Sequence, residues 1–368
     1  MNSKIVRIVS FIMALSLVML TFVSCKRGPD YEANGTTTTT EPSTESTTEA
    51  LPKNINPLTG EADLSESAIG ARPVAIMVEN SPAARPQWGL STPDIVIEGV
   101  VEGGITRMMW VYADAEDIPE KVGPTRSARH DFVEIAAGLN AIYVHWGGSG
   151  RTNSTLAYGA IKNYDIDNID GMTYSGTYFF RDTSRNVSSE HRGYTKGSSI
   201  QKAISKLGYE TKAEDANWMP FKVVTNGYRM PFGDASGSCT SITMTFSSSY
   251  KHTFKYNVED QLYYNYMNTS KMTDGTTGEQ MAVANVIIMY CKVTSLGDSK
   301  GHMEWDMTSG DAVYVSQGYG ESISWKKDGK TGALKFYGKD GQELTVNRGQ
   351  TWIGVVPEAN RGLTTITE

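Results

Sequence analysis

The stretch Ser127-Ala128-Arg129-His130-Asp131-Phe132-Val133-Glu134-Ile135-Ala136-Ala137-Gly138-Leu139, followed after Asn140 by Ala141-Ile142-Tyr143-Val144-His145, decides the fold class. In its first part Ala128, Phe132, Ile135, Ala136 and Leu139 recur at helical spacing, so an amphipathic helix is predicted over 127–139. Its second part is a short apolar run that predicts a buried strand over 141–145. Upstream, Val74-Ala75-Ile76-Met77-Val78 and residues 106–112 also read as strands. Between them, Thr92-Pro93-Asp94 resembles a helix start, with a hydroxyl cap, Pro in the first turn and an acid near the positive dipole end. Val96, Ile97, Val100 and Val101 continue at helical spacing, although their β-branching also suits a strand. Alternating strands and helices predict a layered α/β or α+β N-terminal domain over 57–245, with a further helix over 198–207.

Beyond 245 the pattern changes. A Tyr-rich stretch at 254–267 and a strong apolar run at 283–293 precede short strands near 312–316, 322–326, 333–337 and 344–347. Asp328-Gly329 and Asp340-Gly341 are hairpin signals. This predicts a small all-β C-terminal domain over 246–368, a barrel or sandwich. Its aromatic residues suit core packing better than glycan stacking.

The amino terminus predicts export. Lys4 and Arg7 precede an almost wholly apolar run over 8–23, and Phe22-Val23-Ser24-Cys25 resembles a bacterial lipobox. The reading is a signal peptide over 1–24 and lipid on Cys25, against the alternative of an uncleaved anchor. Residues 25–56, with a Thr run at 36–40 and many Ser and Glu, cannot bury enough apolar surface to fold and read as a disordered tether. As a coil it would span about 30 Å, and stretched about 100 Å. The expected location is the extracytoplasmic face of the cell membrane, within reach of the wall.

The 368 residues carry a formal net charge of -7. An acidic body argues against nucleic acid, anionic lipid or teichoic acid as bulk partners, and leaves room for local basic patches. Apart from Cys25 only Cys239 and Cys291 remain, and they fit either a disulfide or buried thiols. No metal-ligand spacing of Cys or His is visible, so neither metal nor cofactor is expected.

Four polar clusters are candidates for chemistry. Glu98 and Glu102 would lie about 6 Å apart on a helix, near the separation of paired glycosidase carboxylates. On a strand they would lie about 13 Å apart. As tentative catalytic residues they compete with two solvated acids. Arg126 and Arg129, in Gly123-Pro124-Thr125-Arg126-Ser127-Ala128-Arg129-His130, work against the dipole of the predicted helix, which points to acid partners or a bound anion. Arg107 follows Gly103-Gly104 as a further cation. His145 ends a strand before Gly147-Gly148-Ser149-Gly150, a cleft-lining position or an ordinary core histidine. Arg181, Arg185 and His191 occupy a polar, aromatic stretch that is either a ligand contact or a surface loop.

On these motifs the chain resembles the YerB-like lipoproteins of Gram-positive bacteria. The resemblance is carried by Arg72-Pro73-Val74-Ala75-Ile76-Met77-Val78-Glu79-Asn80, Ala84-Arg85-Pro86-Gln87, Val101-Glu102-Gly103-Gly104-Ile105-Thr106-Arg107, Gly123-Pro124-Thr125-Arg126-Ser127-Ala128-Arg129, Ala284-Asn285-Val286-Ile287 and Gly349-Gln350-Thr351-Trp352-Ile353. It implies a two-domain lipoprotein and brings no reaction with it. Where the family carries His-Asn before a Tyr, this chain departs, with His191-Arg192-Gly193-Tyr194.

Three functions fit. The preferred one is a binding or scaffolding lipoprotein with a cleft built from Glu98, Glu102, Arg107, Arg126, Arg129 and His145, holding cell-wall glycan or an anionic small ligand. The second is an enzyme that cleaves peptidoglycan glycan strands, with Glu102 as a general acid of raised pKa and arginines on a lactyl or peptide carboxylate. The third is phosphoryl transfer to wall polymers, with arginines on a pyrophosphate.

Overall fold

Strands dominate the chain because short apolar, β-branched runs alternate with turn residues, and few stretches hold helical periodicity long enough to bury a stripe. The computed structural model describes residues 52–150, 155–230 and 236–368. The expected signal peptide, the lipidation site Cys25 and the tether up to residue 51 lie outside the described residues. The described residues begin slightly before the expected end of the tether at 56. Asn56 is buried and donates from Nδ2 to Asp94 at 3.0 Å, and Asn54 donates to the carbonyl of Ala62 at 3.1 Å.

In chain order the strands are β1 (Val74–Glu79), β2 (Ile95–Val100), β3 (Thr106–Tyr112), β4 (Ile142–His145), β5 (Asn168–Asp170), β6 (Phe179–Arg181), β7 (Gly193–Thr195), β8 (Lys222–Val223), β9 (Ser236–Ser238), β10 (Ser241–Thr245) and β11 (Lys251–Asn257). They continue as β12 (Leu262–Met267), β13 (Ser270–Lys271), β14 (Ala282–Val283), β15 (Asn285–Ser295), β16 (Met303–Asp306), β17 (Ser309–Ser316), β18 (Tyr319–Lys327), β19 (Leu334–Tyr337), β20 (Thr345–Val346), β21 (Thr351–Pro357) and β22 (Thr365–Thr367). The helices are α1 (His130–Gly138), α2 (Ala157–Asn163) and α3 (Gly197–Leu207).

A 12-stranded mixed sheet runs β19-β18-β17-β15-β21-β2-β3-β1-β4-β5, with β16 added to β15 and β9 to β18. β1, β4 and β5 pair in parallel, as do β2, β21 and β15, while β3 runs antiparallel between β1 and β2. A second sheet holds β10 to β14 and β22. Successive residues of the large sheet alternate between two cores. Ala75, Met77, Met109 and Tyr143 pack with Phe132 and Ile135 of α1, whereas Ile76, Val78, Met108 and Val144 pack with Ile200 of α3 and Ile242 and Phe254 of the second sheet.

Two expectations are corrected. The helix expected after Thr92-Pro93-Asp94 is strand β2, buried at every position and paired on both edges. A central strand covered on both faces reads as a continuous apolar run, and its Val-Ile-rich sequence imitates a buried helix. The C-terminal strands do not close a barrel or sandwich of their own, because β21 lies between β15 and β2 and extends the sheet of the N-terminal segment. Other elements fall close to expectation. The helix placed over 127–139 starts at His130, where Arg129 takes the extended capping conformation. Cys239 and Cys291 are both free and buried, and burial pushes each thiol up to about 12, so both are inert hydrophobes and no disulfide forms.

Candidate functional site

Polar side chains gather where β1, β2, β4 and β5 end and antiparallel β3 begins, the edge of a parallel arrangement at which ligands are commonly bound. Strand alternation sorts them onto opposite faces. Glu98, on the face of Val96 and Val100, is fully buried. It accepts hydrogen bonds from Asn80 Nδ2 at 2.8 Å and Thr106 Oγ1 at 2.5 Å, and lies 3.2 Å from His252 Nε2 of β11. Gln87 Nε2 donates to Asn80 Oδ1 at 3.0 Å, and His252 Nδ1 is 2.8 Å from Asn265 Oδ1. Glu98 therefore sits in a buried network against the second sheet, its Oε2 without a hydrogen-bond partner, and does not share a helix face with Glu102.

Glu102 follows β2 in a 3-10 turn, where Gly103 and Gly104 take φ of 69° and 71°. Left-handed backbone at consecutive positions is tolerable because neither residue carries a Cβ. The turn presents Glu102 to Arg129, whose Nε donates to Oε2 at 2.8 Å and whose Nη2 makes a second, shorter bond to Oε1. Arg107 Nη2 is 3.5 Å from the same Oε1, and its Nη1 donates to the carbonyl of Ser127 at 2.8 Å. Burial raises the Glu102 pKa, but the Arg129 hydrogen bond and the charges of Arg107 and Arg129 outweigh it and leave it at about 2. Burial first, then repulsion from Arg129, brings Arg107 down to about 9, still protonated at neutral pH. The expected general acid thus lies beside two guanidinium groups. Burial alone would raise the Glu102 pKa, and the two guanidinium groups favour its charged form.

Arg126 turns away from this triad toward a cavity of about 180 Å³ lined by Thr125, Arg126, Ser127, Trp146, Arg181 and Glu190, among others. Its Nη2 donates to Glu190 Oε2 at 3.0 Å, and its Nε lies 3.7 Å from Glu79 Oε1. Glu79 is buried, accepts from Ser81 Oγ at 2.8 Å and contacts His191 Nδ1 at 2.9 Å. The Arg181 guanidinium stacks 4.3 Å from the Trp146 ring centroid and donates to the carbonyl of Ser189. Burial first, then the charges of Arg192 and Arg126, lower the Arg181 pKa. The cavity thus brings together two guanidinium groups and a solvent-exposed carboxylate, Glu190. Such an arrangement can grip a carboxylate or phosphate in fork geometry.

His145 is fully buried, with Nδ1 2.7 Å from the carbonyl of Gly147 and Nε2 3.2 Å from Asn168 Oδ1. Both ring nitrogens are used by the fold, and the residue braces the loop that carries Trp146. The structure thus joins Arg126 to Arg181, and His191 to Glu79 behind them. Glu102, Arg107 and Arg129 form a closed triad, and Glu98 and His145 stand apart.

Sequence reasoning passed over Glu79, Glu190 and Trp146 as site residues, although the first belongs to a quoted motif and the last follows His145. It also missed His130, Asp131 and Glu304, whose ligand atoms lie within 4.8 Å of one another and could hold a cation. The Lys330 ammonium already lies 3.3 Å from Glu304 and 2.9 Å from Glu134 beside them. No local spacing could link residues so far apart in the chain.

Comparison with known proteins finds relatives of the chain. The N-terminal domain model of a protein of unknown function, DUF3048, matches residues 58–210, and the corresponding C-terminal domain model matches residues 242–353. A Bacillus subtilis (strain 168) protein named as a lipoprotein, YerB, is 32% identical over 311 residues, which span 82% of this chain and 86% of that protein. The crystal structure of YerB protein from Bacillus subtilis superposes with a TM-score of 0.69 at 29% identity, covering 85% of this chain and 99% of the other.

Proposed function

Because the chain belongs to the DUF3048 family, proteins of unknown function, we propose that it is a lipid-anchored binding protein of the cell envelope that grips an anionic group between Arg126 and Arg181. Attachment through Cys25 is supported by the lipobox-like Phe22-Val23-Ser24-Cys25 and by the relative's name. The binding role is carried by one observation: two guanidinium groups flank a cavity of about 180 Å³, one of them stacked on Trp146 and the other held by an exposed carboxylate. Glycan cleavage has less support, since Glu102 stays ionised and Glu98 is closed inside a hydrogen-bonded network.

The test is a fluorescence titration of the full chain with N-acetylmuramic acid and with inorganic phosphate. Binding to at least one of them should saturate, and Arg126→Ala and Arg181→Ala should each weaken it by about tenfold, as expected for loss of a charge-assisted fork. A flat titration with both probes removes the cavity as a binding site. Release of muropeptides from purified peptidoglycan by the wild type, abolished in Glu102→Gln, replaces binding by catalysis.

A further inference from the structure

The chain is acidic overall, yet cations outnumber carboxylates on one face. Lys121, Arg126, Arg181, Arg185, Arg192 and Lys196 converge around the β6–β7 hairpin, in which Arg181 pairs in register with Gly193. Aromatic rings carry Lys121, Arg185 and Lys196 as one connected group, and Trp146 carries Arg181. Lys121 Nζ and the Arg185 guanidinium each lie 4.0 Å from the Trp88 ring centroid, and Lys121 is also 5.3 Å from Tyr194. Tyr194 lies 5.7 Å from Phe180, on which Lys196 sits at 5.1 Å, and Arg181 lies over Trp146. Arg181 thus lines the cavity, and residues 180 and 194 of the same hairpin belong to the ring group that holds the further cations.

Carboxylates on this face do not balance it. Asp182 is engaged by Lys121, Glu190 and Glu79 face Arg126, and Glu120 lies close enough to Lys196 to feel its charge, which sets four carboxylates against six cations. Asp182 also acts on Arg185 through space. The hydrogen bonds of Arg181, Arg185 and Arg192 run to backbone carbonyls, those of Ser189, of Ala84 and Pro86, and of Arg185 respectively. Carbonyls fix a guanidinium without cancelling its charge, and the charges of Arg192 and Arg126 bear on Arg181. Preorganised, incompletely compensated guanidinium groups favour a ligand that brings several negative charges at intervals, with oxygens matching their forks.

We propose that this face is a binding track for a flexible phosphodiester polymer, with one phosphate seated between Arg126 and Arg181 and the following phosphates running along the cations stacked on Trp88 and Phe180. The inference rests on the anion-binding reading of the cavity and extends it to a ligand class. A thread-like polymer fits better than a bilayer, because the first cations line a recess and Lys121 and Arg185 lie over aromatic rings.

The test uses the full chain anchored in phosphatidylcholine nanodiscs, with tryptophan fluorescence as readout. The probes are glycerol phosphate, a glycerol-phosphate decamer and poly-L-glutamate of matched charge. In a further arm phosphatidylglycerol is placed in the discs. The decamer should bind at least about tenfold more tightly than the monomer, with affinity falling as salt rises. Arg185→Gln with Lys196→Gln should remove that advantage and reduce the salt slope by about two, while leaving monomer binding intact. Equal affinity for monomer and decamer, or a double variant that behaves as wild type, overturns the track and leaves the anion cavity standing. Equal binding of decamer and poly-L-glutamate overturns the phosphate class. A response to phosphatidylglycerol without one to the decamer assigns the face to the bilayer and overturns the polymer. No response to monomer, decamer or poly-L-glutamate takes down the cavity reading as well.

Discussion

Glu102 carries the electrostatics of its triad, since a single carboxylate faces both Arg107 and Arg129. Removing one member of a largely buried ion pair costs several kcal/mol because a cation is stranded. An exposed pair contributes about 0–1 kcal/mol. The Glu102 side chain is 25% exposed while Arg107 is almost fully buried, so Glu102→Gln should lose about 2 kcal/mol, between those limits. The sign with pH follows from the folded value of about 2 against the ordinary 4.5. A carboxylate depressed on folding stabilises the protein above its ordinary pKa, and that contribution fades as pH falls toward the folded value. Urea unfolding of wild type and variant should therefore differ most at neutral pH and converge between pH 4.5 and about 2. A gap that persists at pH 2 would mean that the loss comes from packing and not from charge. The pairing itself was legible, because acids and arginines in one short region call for each other. The partners of Glu98 were not, since Asn80, Thr106 and His252 are neutral or distant residues that no charge pattern announces.

Gly99, in strand β2, is a position where the backbone is shaped by a distant aromatic residue. A Cβ there would sit 2.2 Å from the indole of Trp305, whose Nε1 donates to the carbonyl of Val100 at 3.0 Å. Gly99→Ala should destabilise by about 1–3 kcal/mol through overpacking, and Trp305→Leu should recover part of that loss by vacating the space. A thermal melt of the single and double variants checks it, and strictly additive losses would show that the two residues do not compete for that space. This close approach explains why β2 was hard to read. Its glycine and its Thr-Pro-Asp lead-in look like helix punctuation, whereas the pressure toward a strand comes from β3 on one edge and β21 on the other. β1, β3 and α3 were legible almost to the residue, because their apolar spacing and terminal signals are local. The basic face is a third case. Lys121, Arg181, Arg185 and Lys196 are unremarkable one by one in an acidic chain, and only the β6–β7 hairpin folding back beside Trp88 assembles them.

At the scale of the molecule, the two family segments share one sheet. Strand β21 is hydrogen-bonded to β15 over seven registered positions from Asn285 to Cys291, and to β2 over Ile95 to Gly99. The consequence is thermodynamic coupling between segments that sequence comparison treats as separate domains. Without β21, strand β2 would expose an apolar edge whose N–H and C=O groups lack partners, a state prone to aggregation. A fragment of residues 57–245 should accordingly be insoluble or molten. The full chain should unfold in one transition, with coincident midpoints by far-UV circular dichroism and tryptophan fluorescence. Trp110 and Trp146 report on the N-terminal segment, and Trp305, Trp325 and Trp352 on the C-terminal one, so fluorescence samples both. Two resolved transitions, or a fragment with a cooperative melt of its own, would show that the continuity of the sheet does not bind the segments into one folding unit. The same continuity bears on function. The β3–β1–β4 end of the sheet, where Arg126 and Trp146 are held, is braced through β2 and β21 by strands from the far end of the chain. Destabilising substitutions around β21 should therefore weaken anion binding in parallel with folding stability, whereas Arg181→Ala, whose guanidinium contacts a ring and a backbone carbonyl, should weaken binding and leave the melting transition nearly unchanged.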